Sequence, residues 1–308
     1  MEHIRTITLG KLTWYNLSNN SEEEIRYLRD NFHFDKSDVL DAANPPLRPK
    51  IEFLGDYIFI ILLFPVYHKK TQSISSTELD IFLGKDFLVT VHKNEINAIK
   101  DIAQHMENKS EFRNRFRNTN PLALALHILQ ESVVSIYPML NHISWDIDNI
   151  DSELFNRRER ELIHKILSIK RNIVDMRKNM MTHKNVIKEL FLISKNYYRN
   201  NKLDTVFNQL ITHTRDIWDQ LENHKDTIDA IQETNESLIT FRLNDIMKTL
   251  TIFSVTVFPL TLLAAIFGMN TINAMPFVNS SYGFWKVIGI MGAGTAYMFY
   301  WFKKHKWI

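Results

Sequence analysis

The sequence predicts an α+β protein: an N-terminal α/β domain, a long coiled-coil-like helical stalk, and two C-terminal membrane helices, the first continuous with the stalk. Three observations carry this reading. Short runs rich in Ile, Val, Phe and Leu, separated by turn formers, fill residues 1 to about 110. Between Leu203 and Phe258 there is neither Gly nor Pro, and apolar residues recur at heptad spacing. From Thr249 to Trp285 no side chain is charged, a run much longer than the roughly 20 apolar residues that cross a bilayer.

The 308 residues, 45% hydrophobic and 23% charged, would on average describe a soluble protein. The average hides an asymmetry, because nearly all the charge precedes Lys248. A large polar body with a C-terminal membrane anchor follows. The net charge of +2 is too small to argue for a nucleic-acid partner. With no cysteine, disulfides, thiolate metal sites and thiol catalysis are excluded. The opening MEHIRTITLG lacks the apolar core of a signal peptide, so the polar body is expected in the cytoplasm. The expected division is residues 1–115, an α/β domain; 116–246, a helical hairpin and stalk; and 247–308, the membrane region.

In chain order, Thr6 to Gly10 and Leu12 to Asn16 are strand candidates. Ser21 with Glu24 three residues later forms a capping box that starts a helix. Asn44-Pro45-Pro46 ends the next helical stretch. Strands are expected over Lys50 to Leu54, Tyr57 to Phe64, Glu78 to Leu83 and Phe87 to His92, divided by Gly55-Asp56 and Gly84-Lys85-Asp86. Leu122 to Phe155 reads as one helix with an acidic end, and Glu159 to Ile193 as a second, basic one; opposite charge suggests an antiparallel hairpin, although two solvated faces would look the same.

From Leu203 the apolar seam is Phe207, Leu210, Ile217, Leu221, Ile228, Ile231 and Leu238, interrupted by Thr214, His224 and Asn235. That pattern suits a helix packing against copies of itself, or one packed within its own subunit. Unbroken into the membrane, it would run for about 65 residues, on the order of 100 Å.

The uncharged run exceeds one span. Gly268, Asn270, Asn273, Pro276, Asn279 and Gly283 interrupt it, and a second apolar block extends from Phe284 to Phe302. Arg242 and Lys248 flank the first block; Lys303, Lys304 and Lys306 follow the second. By the positive-inside rule both termini are cytoplasmic and the connecting loop faces outward, in a multi-pass protein of the cell membrane.

That loop opens with Gly268-Met269-Asn270 and continues to Met275-Pro276; upstream lie Asn244 to Thr251 (NDIMKTLT) and Pro259-Leu260-Thr261. With these motifs placed between two C-terminal spans, the whole chain resembles the CorA-type magnesium channels. Arg48-Pro49-Lys50 and Leu88 to His92 also look like stretches common in their cytoplasmic domains. The resemblance implies a homopentameric channel that passes Mg²⁺, with Co²⁺ and Ni²⁺ as further candidates. It also implies a GMN selectivity filter and a hydrophobic gate at Met247 and Leu250.

The residues themselves allow this chemistry. Asn244, Met247, Leu250 or Thr251, Ser254, Phe258, Thr261 and Ala265 recur at three- and four-residue steps and share one face. A lumen built from that face carries hydroxyls, an amide and apolar rings but no carboxylate. Because Mg²⁺ dehydrates reluctantly, such a pore passes it only largely hydrated. Asn270 offers a side-chain carbonyl and Gly268 an unshielded backbone carbonyl, which together suit an outer filter, although a glycine cap followed by a polar turn would also suit a plain membrane hairpin. Met247 and Leu250 could equally face lipid or packing partners.

Two departures from the family pattern stand out. Met275-Pro276 is followed by Phe277-Val278 where relatives commonly carry acids, and Gln209 occupies a position matching a stalk aspartate of the family's metal sensor. Asp204, Asp216 and Asp219, with Glu78, Asp80 or Asp86, are candidate regulatory ligands in its place. Glu233 matches an acidic position at the cytoplasmic mouth. The twelve histidines include no i, i+4 pair, so they are read as surface or packing residues. No P-loop is present and no nucleophile–base pair rises above chance, so an enzyme is not expected. The alternatives are a ZntB-type zinc transporter, which shares the architecture, and a membrane-tethered scaffold that moves no ion.

Overall fold

The computed structural model describes residues 4–44, 48–117, 119–155, 159–198, 203–269, 276–277 and 280–307. The chain divides into two compact units, residues 1–233 and 234–308.

The first unit is built on a six-stranded sheet. Its strands are β1 (Ile4–Leu9), β2 (Leu12–Leu17), β3 (Lys50–Phe53), β4 (Ile58–His68), β5 (Ser73–Leu83) and β6 (Phe87–His92), in the order β1-β2-β6-β5-β4-β3. Neighbours are antiparallel except β2 and β6, which run parallel with Tyr15 beside Val89. Central β4 and β5 read as nearly continuous apolar runs because both faces are covered.

One face carries Leu17, Phe59, Ile61, Phe82, Val89 and Val91, packed under α1 (Glu22–Asn31) and α2 (Lys36–Ala43) through Leu28 and Ala42. The expected Ser21–Glu24 capping box starts α1. The buried Glu24 carboxylate also accepts from the backbone of Ser18 and Asn19, which fixes the entry of the chain. The opposite face is covered by α5 (Pro121–Val134) and α7 (Glu159–Met180), with α3 (Asn97–Asn108) against α5; α4 (Ser110–Arg115) links α3 to α5.

Where one helix was expected over Leu122 to Phe155, the chain forms α5 and α6 (Tyr137–Glu153), parted at Ser135-Ile136. Pro138 explains the break. It lacks an N–H and sits at the first turn of α6, where that loss is tolerated. The expected helix from Glu159 to Ile193 is likewise two, α7 and α8 (His183–Tyr197). At their junction Asn179 accepts from Ser76 Oγ and the His183 ring bonds the Leu63 carbonyl at 2.7 Å, so the sheet holds both sides of the break.

The first part of α9 (Asp204–Phe267) packs within its own subunit. Phe207, Leu210, Thr214, Ile217, Leu221, Ile228 and Ile231 are all buried there. The Phe207 ring lies 5.0 Å from that of Phe191, His213 shares a hydrogen bond with Tyr137, and Arg177 and Lys170 of α7 pair with Glu222 and Asp229, each at 2.7 Å. This corrects the reading of those heptads as a seam between copies: the α/β core and its helices fill it. The expected α6–α7 hairpin is present, with Lys165 bonded to Glu153 at 2.9 Å, but most of the paired basic residues of α7 serve α9.

The second unit comprises the rest of α9 and α10 (Gly283–Lys304). Lys248 Nζ donates to the Lys306 carbonyl at 3.2 Å, and Phe302 is buried with the Trp307 ring stacked 5.9 Å away. These contacts tie the chain end to the start of the apolar helix.

Candidate functional site

Helical geometry sorts the apolar part of α9 into two sides. Ile252, Thr256, Leu263 and Phe267 fall on one stripe and are buried or half-buried. At 100° per residue, Met247, Ser254, Phe258, Thr261 and Ala265 fall on the opposite side. Met247 is 60% exposed, Leu250 55% and Phe258 70%; Asn244 and Thr261 are exposed and Ser254 is half-buried. Helix α10 repeats the arrangement, half-covering Val287, Met291, Thr295 and Met298 on one stripe. The face picked out for a pore is therefore left uncovered by its own subunit, as are Phe253, Leu262 and Ile266 on the flanks of the helix.

Every threonine hydroxyl on this helix segment is tied to its own backbone. Thr249, Thr251, Thr256 and Thr261 donate to the carbonyls of Asp245, Met247, Ile252 and Val257 at 2.7–2.9 Å. The proton is committed inward, so the oxygen lone pairs point away from the helix as acceptors.

At the far end, Gly268 donates to the Ala264 carbonyl at 2.9 Å and Met269 is exposed. Gly268 does not have the positive φ of a left-handed cap; among the described glycines Gly10 and Gly55 do. What it lacks is a Cβ that would sit 3.1 Å from the Ala264 oxygen. Asn270 and Met275 lie outside the described residues. Further on, Phe277 adopts φ +74°, and a Cβ on Gly283 would come within 2.1 Å of the Phe277 oxygen. Lys286 donates to Ser280 Oγ and lies over the Phe277 ring, closing this turn with a cation.

Of the candidate regulatory acids, Glu78 and Asp80 line one cavity at the end of the sheet. Asp204 pairs with Lys195 and Asp219 with Arg215, and Gln209 is exposed. No three His, Asp or Glu residues among those described converge as a metal cage. Several histidines serve packing as expected: His183, His213, His142 and His68 each bond a backbone or side-chain group of the fold.

A polar feature of the sheet escaped sequence reasoning. Trp14 Nε1 donates to Thr90 Oγ1, Thr90 donates to Asn16 Oδ1, and the His92 ring reaches the same oxygen at 2.9 Å, all buried. Burial, with a smaller contribution from Lys100, pushes His92 down to about 4, so it is neutral. Only the parallel β2–β6 pairing assembles this chain, and no spacing in the sequence announces it.

The family profile described as CorA-like Mg²⁺ transporter protein matches residues 10–304. The chain belongs to this family. A cobalt/magnesium transport protein CorA from Thermotoga maritima is 27% identical over 305 residues, covering 96% of this chain and 83% of that one. The complete structure of the CorA magnesium transporter from Methanocaldococcus jannaschii superposes with a TM-score of 0.85 at 23% identity, covering 97% and 92% of the two chains. A ZntB cytoplasmic domain from Vibrio parahaemolyticus superposes with a TM-score of 0.60 at 15% identity over 78% of this chain and 91% of that one. The CorA fold, an N-terminal α/β domain and a long C-terminal helix, is thus present in this family member.

Proposed function

We propose that this protein is a homopentameric channel of the cell membrane that carries largely hydrated Mg²⁺ into the cytoplasm, with Co²⁺ and Ni²⁺ as further cargo. The observation that carries the reading is the uncovered face of α9, which belongs to a helix apolar enough to cross a membrane. Five copies turning Asn244, Met247, Leu250, Ser254, Phe258 and Thr261 inward would line a pore without carboxylates. α10 forms the second span, the GMN loop faces outward, and both termini are cytoplasmic. Residues 247–308 are the pore region, 1–115 the α/β domain and 116–246 the helical hairpin and stalk.

The chemistry follows from the lining. The hydroxyl oxygens of Thr261 and Thr251 accept from water held by the ion, and Gly268 and Asn270 offer carbonyl oxygens at the outer end. Met247 and Leu250 close the inner end by dewetting when their rings draw together. Glu233 concentrates cations at the inner mouth. The drive is the membrane potential: about 2.3 kcal/mol per charge per 100 mV gives a divalent ion ~4.6 kcal/mol. No carboxylate must be desolvated and no nucleotide consumed.

The likeness to the ZntB domain extends to fold alone, so zinc transport is the competing reading to be tested. In proteoliposomes, Mg²⁺ should enter on an inside-negative potential without a proton gradient, and Zn²⁺ should not need one. Zn²⁺ entry that depends on a pH gradient, with Mg²⁺ excluded, supports the ZntB type; no flux of any ion supports a scaffold.

A further inference from the structure

In the second unit, α9 and α10 leave between them a cavity of about 430 Å³. Its lining includes Ala264 and Phe267 of α9, Phe277 and Ser280 of the turn, and Val287 and Met291 of α10. Phe284 and Ile288 also line it and are exposed, so it opens onto the surface of the helix pair. Among the described residues, Ser280 is its one polar side chain, and that hydroxyl already accepts from Lys286 at 3.0 Å. A buried water needs two to four polar partners, so the space suits hydrocarbon better than water.

The cavity has an apolar end and a charged one. Along α10 it runs from Gly283 to Met291, about 12 Å at 1.5 Å per residue. At the Gly283 end Tyr282 and Trp285 are exposed, and these are the residue types that gather at the headgroup level of a bilayer. Lys286 stands beside them, with Nζ bonded to Ser280 and 5.7 Å from the centre of the Phe277 ring, both parts of the cavity wall. An ammonium has three donors, and Ser280 takes one. Lys286 is the one charged side chain between Thr249 and Phe302, and Asp245 is the last acidic residue of the chain. From Ile246 to Ile308 there is no Asp or Glu to pair with it, and a second copy brings the same acid-free segment.

We propose that the cavity holds an acyl chain of an anionic phospholipid, with the lipid phosphate on the Lys286 ammonium and the tail along Val287 and Met291. This site rests on the two-span membrane reading but not on which ion is carried. A phospholipid matches both ends at once: charge at the interface and hydrocarbon below it. A helix of a neighbouring copy, about 10 Å across, would take up roughly 900 Å³ over the same length, more than the cavity offers.

The test uses the full-length protein in detergent, incubated with phosphatidylglycerol and phosphatidylcholine of identical chains, and counts retained phospholipids by native mass spectrometry. Flotation with phosphatidylcholine vesicles is run alongside; a protein that does not enter the bilayer overturns the spanning reading and this site with it. For a protein that does, about one phosphatidylglycerol per subunit should be retained, favoured about fivefold over phosphatidylcholine, as one lysine near a headgroup gives. Lys286→Gln, at an exposed position, should bring the two lipids to equal occupancy. Val287→Phe, which fills the cavity, should lower retention of both several-fold. The combined Lys303→Gln, Lys304→Gln and Lys306→Gln variant should keep the preference. A preference that survives Lys286→Gln but is lost in that triple variant places the headgroup at the other end of the spans and overturns the proposal. So does wild-type retention in Val287→Phe, which would leave the cavity to a neighbouring subunit's side chains.

Discussion

Thr261 Oγ1 donates to the Val257 carbonyl 2.9 Å away, and the two residues straddle Pro259. Proline supplies no N–H, so the helix loses one backbone bond here, and the neighbouring hydroxyl is held in a single orientation with its lone pairs outward. Thr261→Val keeps the shape and removes the acceptor. It should lower Mg²⁺ flux by about fivefold, the effect of a hydrogen bond worth ~1 kcal/mol, while Thr261→Ser should conduct like wild type. Equal flux for all three would remove Thr261 from the pore wall.

Gly283 is required by contact. A Cβ there would meet the Phe277 oxygen at 2.1 Å, with Phe277 already at φ +74°. Gly283→Ala should destabilise the second unit by about 1–3 kcal/mol, read as a lower melting temperature in detergent and faster proteolysis near Ser280. A variant that melts like wild type would mean the turn does not approach α10 this closely.

His183 gives the first unit an acid limit. It is fully buried, its ring bonds the Leu63 carbonyl, and burial pushes it down to about 4. A histidine is ordinarily protonated below about 6.5, so as pH falls below that value the unfolded chain gains a proton that the fold refuses. Stability should therefore drop between about pH 6.5 and 4, by about 3 kcal/mol in total, and level off below. His183→Gln can still donate to Leu63 and should flatten this part of the denaturation profile; an unchanged slope would assign the acid loss to other groups.

Asn172 ties α7 to the β4–β5 turn with both ends of its amide: Oδ1 accepts from Ile74 N at 3.0 Å and Nδ2 donates to the Gln72 carbonyl at 2.9 Å. Asn172→Ala leaves a buried N–H without its partner and should cost about 1–3 kcal/mol. Chemical denaturation that finds less than about 0.5 kcal/mol would show that water replaces the amide.

Local signals explain which parts of this fold were legible. Ser21 and Glu24, the turn at Gly55-Asp56 and the apolar run of β6 after Gly84-Lys85-Asp86 act within a few residues, and α1, β3 and β6 lie where expected. The three- and four-residue recurrence on α9 puts Met247 and Phe258 on one side of the helix, because a single helix obeys one period, and both are exposed in the subunit. The helix breaks at Ser135-Ile136 and Met181-Thr182 have weaker local signals: Pro138 alone marks the first, and the second depends on Asn179 and His183 meeting β5 and β4, a tertiary fact. The heptads from Phe207 to Ile231 announced a buried seam without saying against what, since the same spacing serves an internal or an external partner.

Under the proposed function, the uncovered face of α9 and the GMN loop conduct Mg²⁺. The most direct measurement is Mg²⁺ influx into proteoliposomes holding the purified protein at an inside-negative potential, wild type against Asn270→Ala. Potential-driven entry is expected in the wild type, and its loss in a variant that still assembles to the same size. Undiminished influx through Asn270→Ala, or no influx through the wild type, would contradict it.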